Sequence, residues 1–511
     1  MAEPQQPSSS HRQRVNARSL VPIAGMVANP DQNGQVLRRS IAGTRIPRTT
    51  LTSGVTQDRH SHQFRPQSRT VSEEVPPHTR ATPDPQMESI PASETPDRGQ
   101  PGPRGRLSSL AFDVSPLRES REFRLLFIGQ GVSFAGSMIT YVAIPFQVYQ
   151  LTRSSLVVGL VSLAELIPIL VMSFVGGALA DAVDRRRMVR ITQVTACVVV
   201  AVLVVNAALP HPQLWVLFVV VIAAAGVDAL ERPSLDALVP RIVSRDKLTS
   251  AAALESLRGN LGQVVGPPLA GILIATVGLP VTYGVDVATF LVATVALTLM
   301  RAVPPAPDAE GVNLRAAIAG LRYAASRQDL LGSYLVDINA MFFGMPMALF
   351  PQIASGLGGP AVLGLLYTAP SVGSLLATLT SGWTRSVRHH GRAIAFAAAS
   401  WGLPIVVFGF ASSLWVALPA LAAAGAADMI SGLFRSTLWN QTIPDAMRGR
   451  LAGIEMISYT SGPALGNLEA GVVGSLAGVR ASVVSGGILC VVGTAVLSAL
   501  LPTFWKYRAK R

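Results

Sequence analysis

From Arg121 almost to its end, this chain is a succession of apolar runs about 20 residues long, separated by short polar breaks. At a rise of about 1.5 Å per residue, such a run forms a helix of about 30 Å, the thickness of the hydrocarbon core of a bilayer. Lipid solvates a surface of that kind and water does not. The expected spans are 124–150, 156–180, 188–209, 213–236, 252–278 and 281–301, then 330–353, 360–382, 391–411, 414–439, 450–476 and 480–503. A membrane barrel would instead need segments of about ten residues with alternating polarity, and none is present. Composition agrees: half of the residues are apolar and 14% are charged, too few charges to clothe a set of water-soluble domains. The expected class is an all-α integral membrane protein with twelve spans.

Charge placement then orients the chain. The net charge is +13, yet the basic residues stand in alternate loops, among them Arg185–Arg187, Arg241 to Lys247, Arg385 to Arg392 and the final Lys506 to Arg511. The intervening loops hold only Arg153 and Arg480. Basic loops stay on the cytoplasmic side, so both termini are expected there and the number of spans is even. The basic excess belongs beside anionic lipid, and no nucleic-acid partner is expected. Arginine vastly outnumbers lysine, present only as Lys247, Lys506 and Lys510, and Ala, Gly and Val abound, which fits a GC-rich bacterial genome and a multi-pass protein of the plasma membrane. Cys197 and Cys490 lie inside apolar runs, so neither a disulfide framework nor a metal site is expected.

Residues 1–105 are rich in Pro, Ser and Arg with no apolar period; such a segment buries too little to offset its ordering entropy and is expected to be disordered. The spans over 121–301 form a first six-helix bundle and those over 330–503 a second, with a short basic tail at 504–511. The linker 302–329 starts with Val303-Pro304-Pro305 and continues as an amphipathic helix, Leu314, Ile318 and Leu321 on one stripe and Arg315 and Arg322 on another, suited to lie on the membrane surface. The halves repeat. A shift of 200 residues aligns Asp228 with Asp428, Glu255 with Glu455, Gly262 with Gly462, Gly266 with Gly466, Gly271 with Gly471 and Gly278 with Gly478; a shift of 205 aligns Gly159 with Gly364. Six spans return the chain to its starting side, so the halves point the same way and are related by an axis along the membrane normal.

Two motifs stand out. Between spans 2 and 3 runs Gly177-Ala-Leu-Ala-Asp181-Ala-Val-Asp184-Arg185-Arg186-Arg187, and span 5 carries Gly262-Gln-Val-Val-Gly266-Pro267-Pro-Leu-Ala-Gly271. The first resembles the cytoplasmic loop signature G-x-x-x-D-x-x-G-R-R of the major facilitator superfamily, with Asp184 where glycine is usual. The second resembles the G-x-x-x-G-P motif of the superfamily's exporters. With Arg232 to Pro240 and Thr442 to Arg450, residues 110–505 are most similar to the subgroup holding the enterobactin exporter and macrolide efflux proteins. The resemblance implies two six-helix bundles that alternate access to a shared cavity. It also implies a latch made by Gly177, Asp181, Arg185 and Arg186, against Glu455 or the end of span 11.

Ionisable groups at bilayer depth are costly and default to functional candidates. Asp337, Asp228, Glu165 and Asp428 are the expected proton carriers. Glu231 beside Arg232, and Glu255 with Arg258, read instead as structural ion pairs, and Asp286 as a tie between helices. Polar cavity candidates are Gln130, Ser133 and Ser137 on span 1, Asn260 and Gln263 on span 5, Asn339 on span 7, and Tyr459 and Asn467 on span 11; any of them could instead bond another helix. No phosphate loop, metalloprotease helix or nucleophile elbow occurs in the sequence, so neither an enzyme nor a cofactor is expected. The expected function is a monomeric, proton-coupled exporter of a small amphipathic metabolite such as a siderophore or macrolide. An importer and a non-transporting membrane receptor remain the alternatives.

Overall fold

The computed structural model describes residues 113–182, 184–302 and 322–509. The expectations for the N-terminal tail and for the stripes of the linker helix fall mostly outside these residues. The first half comprises α1 (Arg121–Thr152), α2 (Ser155–Ala182), α3 (Arg185–Ala208), α4 (Leu214–Ile242), α5 (Leu248–Thr276) and α6 (Gly278–Leu299). The second comprises α7 (Gln328–Phe343), α8 (Pro360–Leu379), α9 (His390–Gly409), α10 (Leu414–Thr442), α11 (Asp445–Ala477) and α12 (Val479–Leu500). Among the described residues, ten segments are long and apolar enough to cross a membrane by length and composition alone. The two long helices outside that set are α5 and α11. Both carry glycines, prolines and carboxylates, and both pack against the opposite half of the molecule.

Polar residues at the chain breaks fix where helices begin. Ser120 caps α1 by accepting the Phe123 N–H at 3.1 Å, and its hydroxyl donates to the Ile242 carbonyl at 2.7 Å, tying the start of α1 to the end of α4. Asp184, the departure from the superfamily signature, caps α3: its carboxylate accepts the Arg187 N–H at 2.9 Å. Arg186 donates to the carbonyls of Leu297 and Thr298 at 2.7 and 2.6 Å, closing the last turn of α6. Ahead of α1, Asp113 accepts from the Ser250 hydroxyl at 2.7 Å and the Ser115 N–H at 3.0 Å. These bonds hold its carboxyl down, to about 2.

The seventh span is expected as one run and is broken. α7 ends at Phe343, a tight turn covers Met347–Leu349, and a short helix, Phe350–Leu357, completes the crossing. Backbone groups freed inside a membrane must find partners within the protein. The Gly344 carbonyl accepts from the Trp401 indole at 2.9 Å, and the Ala348 N–H donates to the Asn467 side chain at 3.1 Å. The sequence signal was Gly344-Met345-Pro346, in which proline removes a donor and disfavours a helical residue before it.

The halves meet through glycines. A Cβ on Gly159 of α2 would stand 2.6 Å from the Asn467 carbonyl of α11, and one on Gly471 of α11 2.6 Å from the Ser155 carbonyl of α2. The same arrangement joins α5 to α8, where Gly271 faces the Pro360 carbonyl at 2.6 Å and Gly364 abuts Pro267. Ser155 donates to Gln352 at 2.6 Å and Asn467 to Ser162 at 3.3 Å across the same seam. All four glycines lie where α2 and α8 begin and α5 and α11 finish, so the halves close at the end opposite the chain termini. Within each half the repeat holds as well: Gly262 and Gly266 fit α5 against Phe134 and Met138 of α1, while Gly462 and Gly466 fit α11 against Met341 and Phe342 of α7. Gly278 and Gly478 take the same positive φ, 78° and 92°, at the turn that follows.

Three outcomes follow from this packing. Gly364→Val should force α5 and α8 apart, so that a cysteine placed at Ser155 (with the native cysteines replaced) gains reactivity toward an impermeant maleimide; unchanged labelling would contradict the seam. Asp184→Ala should lower the thermal stability of the solubilised chain by about 1 kcal/mol, the usual worth of an N-cap, and a gain in stability would refute the cap. The Asp113 carboxyl lies below its ordinary 3.8, so its clasp is complete above about pH 4 and is lost as pH falls through about 2. Hydrogen exchange at Ser115 should open over that window and no higher.

Candidate translocation site

The second half gathers its polar groups around an arginine. Arg435 on α10 forms an ion pair with Asp337 on α7, both almost wholly buried. The other nitrogen of its guanidinium lies 3.7 Å from Asp428, about two turns back along α10, whose side chain is 38% exposed. Ser458 of α11 donates to Asp337 at 3.2 Å. The guanidinium carbon also stands 5.8 Å from the centre of the Tyr459 ring, and Trp439 stacks on Tyr334 at 5.1 Å while donating to Ser333 at 2.9 Å. One cation is thereby shared between a buried carboxylate and an accessible one, beside three aromatic faces. Removing a proton-accepting charge from either carboxylate would redirect Arg435 to the other.

The first half is arranged differently. Asp228 pairs with Arg232 one helical turn on, at 3.7 Å, and both side chains are mostly exposed, 72% and 63%. Charges this exposed at bilayer depth are tolerable only in water, which places them on an aqueous cavity. Glu165 on α2 is near enough to Asp228, Tyr141 and Tyr367 for their charges to interact. Tyr141 and Tyr367 meet edge to face at 5.5 Å across the two halves. Glu165 and Asp228 thus lie near each other in the first half, and Asp337 and Asp428 gather on Arg435 in the second.

Glu231 does not pair with Arg232 as the sequence suggested. Adjacent residues on a helix point in different directions, whereas residues four apart share a face. Arg232 therefore goes to Asp228, and Glu231 is buried among the neutral side chains of Gln130, Thr192 and Gln193. The pair of Glu255 with Arg258 is present at 2.6 Å. Asp286 ties α6 to α1 through the hydroxyl of Thr140.

The remaining expected residues divide by surroundings. Asn339 bonds the Cys490 carbonyl at 3.0 Å and Thr494 at 3.3 Å, which locks α7 to α12 and takes it away from the cavity. Asn467 serves the break in α7 and the seam, and Gln263 is exposed and reached by Ser371 of the other half at 3.5 Å. Ser137 and Asn260 are half-buried, and Tyr459 is 44% exposed. Of the expected latch, the side chains at Gly177 and Asp181 fall outside the described residues. Arg185 donates to the Ala237 carbonyl of α4 at 3.0 Å and Arg186 to α6, both inside their own half. Glu455 is within electrostatic reach of Arg435. Arg435 itself is the member of this cluster that the sequence did not single out. Its signal was plain, a basic residue inside an apolar run, but attention rested on the carboxylates.

A family model described as transmembrane secretion effector matches residues 111–507. The chain is 29% identical over 402 residues to the enterobactin exporter EntS of Citrobacter koseri, covering 78% of this chain and 96% of that one. It is 28% identical over 401 residues to the protein of the same name from Shigella boydii serotype 4, covering 77% and 95%. Among solved structures, a bacterial homologue of the human lysosomal transporter Spinster superposes with a TM-score of 0.61 at 14% identity, over 76% of this chain and 98% of that one. The nucleoside transporter NupG superposes with a TM-score of 0.58 at 14% identity, over 76% and 99%. The major facilitator fold is therefore shared.

Breaking a buried ion pair from one side leaves a desolvated charge and costs about 3–5 kcal/mol, whereas replacing both partners is often neutral. Asp337→Leu should accordingly lower the melting temperature of the solubilised chain far more than Asp337→Leu combined with Arg435→Leu. Equal losses in the single and double variants would show that the pair is not coupled.

Proposed function

The chain belongs to the transmembrane secretion effector family of the major facilitator superfamily, and from that premise we propose that it is a proton-coupled exporter of a small amphipathic metabolite. That it is a multi-pass membrane transporter of a bacterial type, and not an enzyme, follows from the family and the fold. Export, antiport with protons and the substrate class are the finer reading. The observation that carries it is the shared cation: Arg435 held between buried Asp337 and accessible Asp428.

A cation with two anionic partners is a switch that one proton can throw. With Asp337 ionised, its charge fixes Arg435 in the protein interior. With Asp337 protonated, Arg435 is free to turn toward the cavity, where an anionic or electron-rich aromatic group of a substrate can meet it beside Tyr459, Tyr334 and Trp439. Substrate and the ionised Asp337 then compete for one guanidinium, which is the coupling that an antiporter requires. The relatives named for enterobactin export support a siderophore-like cargo. With the termini on the cytoplasmic side, the conformation seen is closed outward, the state in which an exporter loads. In the opposite state the halves would close at the terminal face, and Asp181 with Arg185 and Arg186 would then face the end of α11 near Glu455 as a latch.

Inside-out membrane vesicles with an acid lumen should accumulate enterobactin only when the chain is present, and Asp337→Asn should reduce this to background. Accumulation that ignores the proton gradient would sink antiport. Accumulation undiminished in Asp337→Asn would remove that residue from the coupling.

A further inference from the structure

Glu231 is a buried carboxyl without a cation, and its hydrogen bonds can be counted. Oε1 accepts from the side-chain amides of Gln193 at 2.7 Å and Gln130 at 3.1 Å. The orientation of Gln193 is set in turn by Ser133, whose hydroxyl donates to its amide oxygen at 3.0 Å. Oε2 has one neighbour, the Thr192 hydroxyl, at 2.8 Å. That same hydroxyl stands 2.8 Å from the backbone carbonyl of Val189. All five side chains are buried.

A threonine hydroxyl owns one hydrogen and can donate once. With Glu231 ionised, Thr192 faces two acceptors at contact distance and can satisfy only one, leaving a buried oxygen pair with no hydrogen between them. Such an unmade bond costs about 1–3 kcal/mol, and more when one partner is charged. One added proton resolves the conflict. Placed on Oε2, it donates to Thr192 Oγ, and Thr192 donates to the Val189 carbonyl. The Thr192 hydroxyl then accepts once and donates once, and Oε1 keeps both glutamine amides.

We infer that Glu231 is a proton-binding site of the first half, occupied by one proton in this conformation through the chain Glu231 to Thr192 to the Val189 carbonyl. The step is a simple binding: an O–H bond forms at Oε2, the side-chain charge goes from −1 to 0, and release returns the proton to water. The route to water is short. Asp228, one turn away on the same helix, lies exposed with Arg232 on the cavity wall. Among the described residues, Asp228 is the charged group whose field reaches Glu231. The helices packed against it contribute Gln130 and Ser133 from α1 and Thr192 and Gln193 from α3, none of which titrates. From α2 comes Glu165, which lies toward Asp228.

The site also has a mechanical consequence. Loss of the proton turns the bonds from Gln130 on α1 and Gln193 on α3 into charge-assisted ones, which are about twice as strong. Deprotonation therefore draws α1 and α3 toward α4, and protonation relaxes them.

The site deepens the proton-coupled reading and takes its physiological meaning from it, but it can be detected without transport. The full chain is reconstituted in liposomes and followed by infrared difference spectroscopy across a pH titration. The wild type should show a protonated-carboxyl C=O band that is lost in Glu231→Gln. In Thr192→Val, which retains the acid and removes its acceptor, the band should shift to higher frequency. A carboxyl band that is the same in wild type and Glu231→Gln overturns the assignment, as does one that Thr192→Val leaves in place should Glu231→Gln fail to fold. If the band behaves as expected while enterobactin uptake ignores the proton gradient, the antiport reading fails and this site stands.

Discussion

Everything else in this molecule depends on four backbone-to-backbone contacts where glycines let the two halves touch. Membrane helices gain no hydrophobic stabilisation by leaving lipid for one another, so their association rests on close van der Waals packing and on hydrogen bonds. Gly159 and Gly471 supply it between α2 and α11, and Gly271 and Gly364 between α5 and α8. The two pairs are images of one another under the internal repeat. A seam built this way is strong in shape and poor in bonds, which suits a contact that forms and parts in each cycle. Because it sits at one end only, the charged groups behind it can stand in water at mid-membrane depth.

The halves use their shared architecture for unlike chemistry. The second half neutralises its buried acid with an arginine, and the first surrounds its own with amides and a hydroxyl. Asp228 and Asp428 are aligned by the repeat, yet one pairs with its neighbour Arg232 at 3.7 Å and the other stands at the same distance from Arg435. The repeat aligns the carboxylates, whereas the cation stands four residues beyond Asp228 and seven beyond Asp428.

Much of this was legible in the chain. Spans follow from lipid's demand for apolar length, and the even count from the placement of arginine, because both are one-dimensional properties. The pairing of Gly159 with Gly364 and of Gly278 with Gly478 was visible as spacing alone. What failed was local geometry. Glu231 beside Arg232 looked like a pair because adjacency in sequence was read as adjacency in space, which a helix does not allow. The break in span 7 was hidden by hydropathy, which does not register a missing N–H. Arg435 was overlooked since its buried partner, Asp337, lies on another helix, far away in sequence. Asn339 and Asn467 could not be sorted between cavity and packing without knowing which helices face them.

The break in α7 has a consequence for how the two bodies are joined. On one side of it Asp337 and Tyr334 lie in the interior of the second half; on the other, Ala348 is lodged among the buried apolar residues of the first. A single strand of chain is thus anchored in both bodies at membrane depth, with Trp401 and Asn467 holding the peptide groups between. The halves are coupled by this inner strap as well as by the chain that runs between α6 and α7. When they rock, the strap must flex, and the residue at its root is the aspartate paired with Arg435. Load carried by the backbone at Gly344 therefore arrives at the same place as the charge.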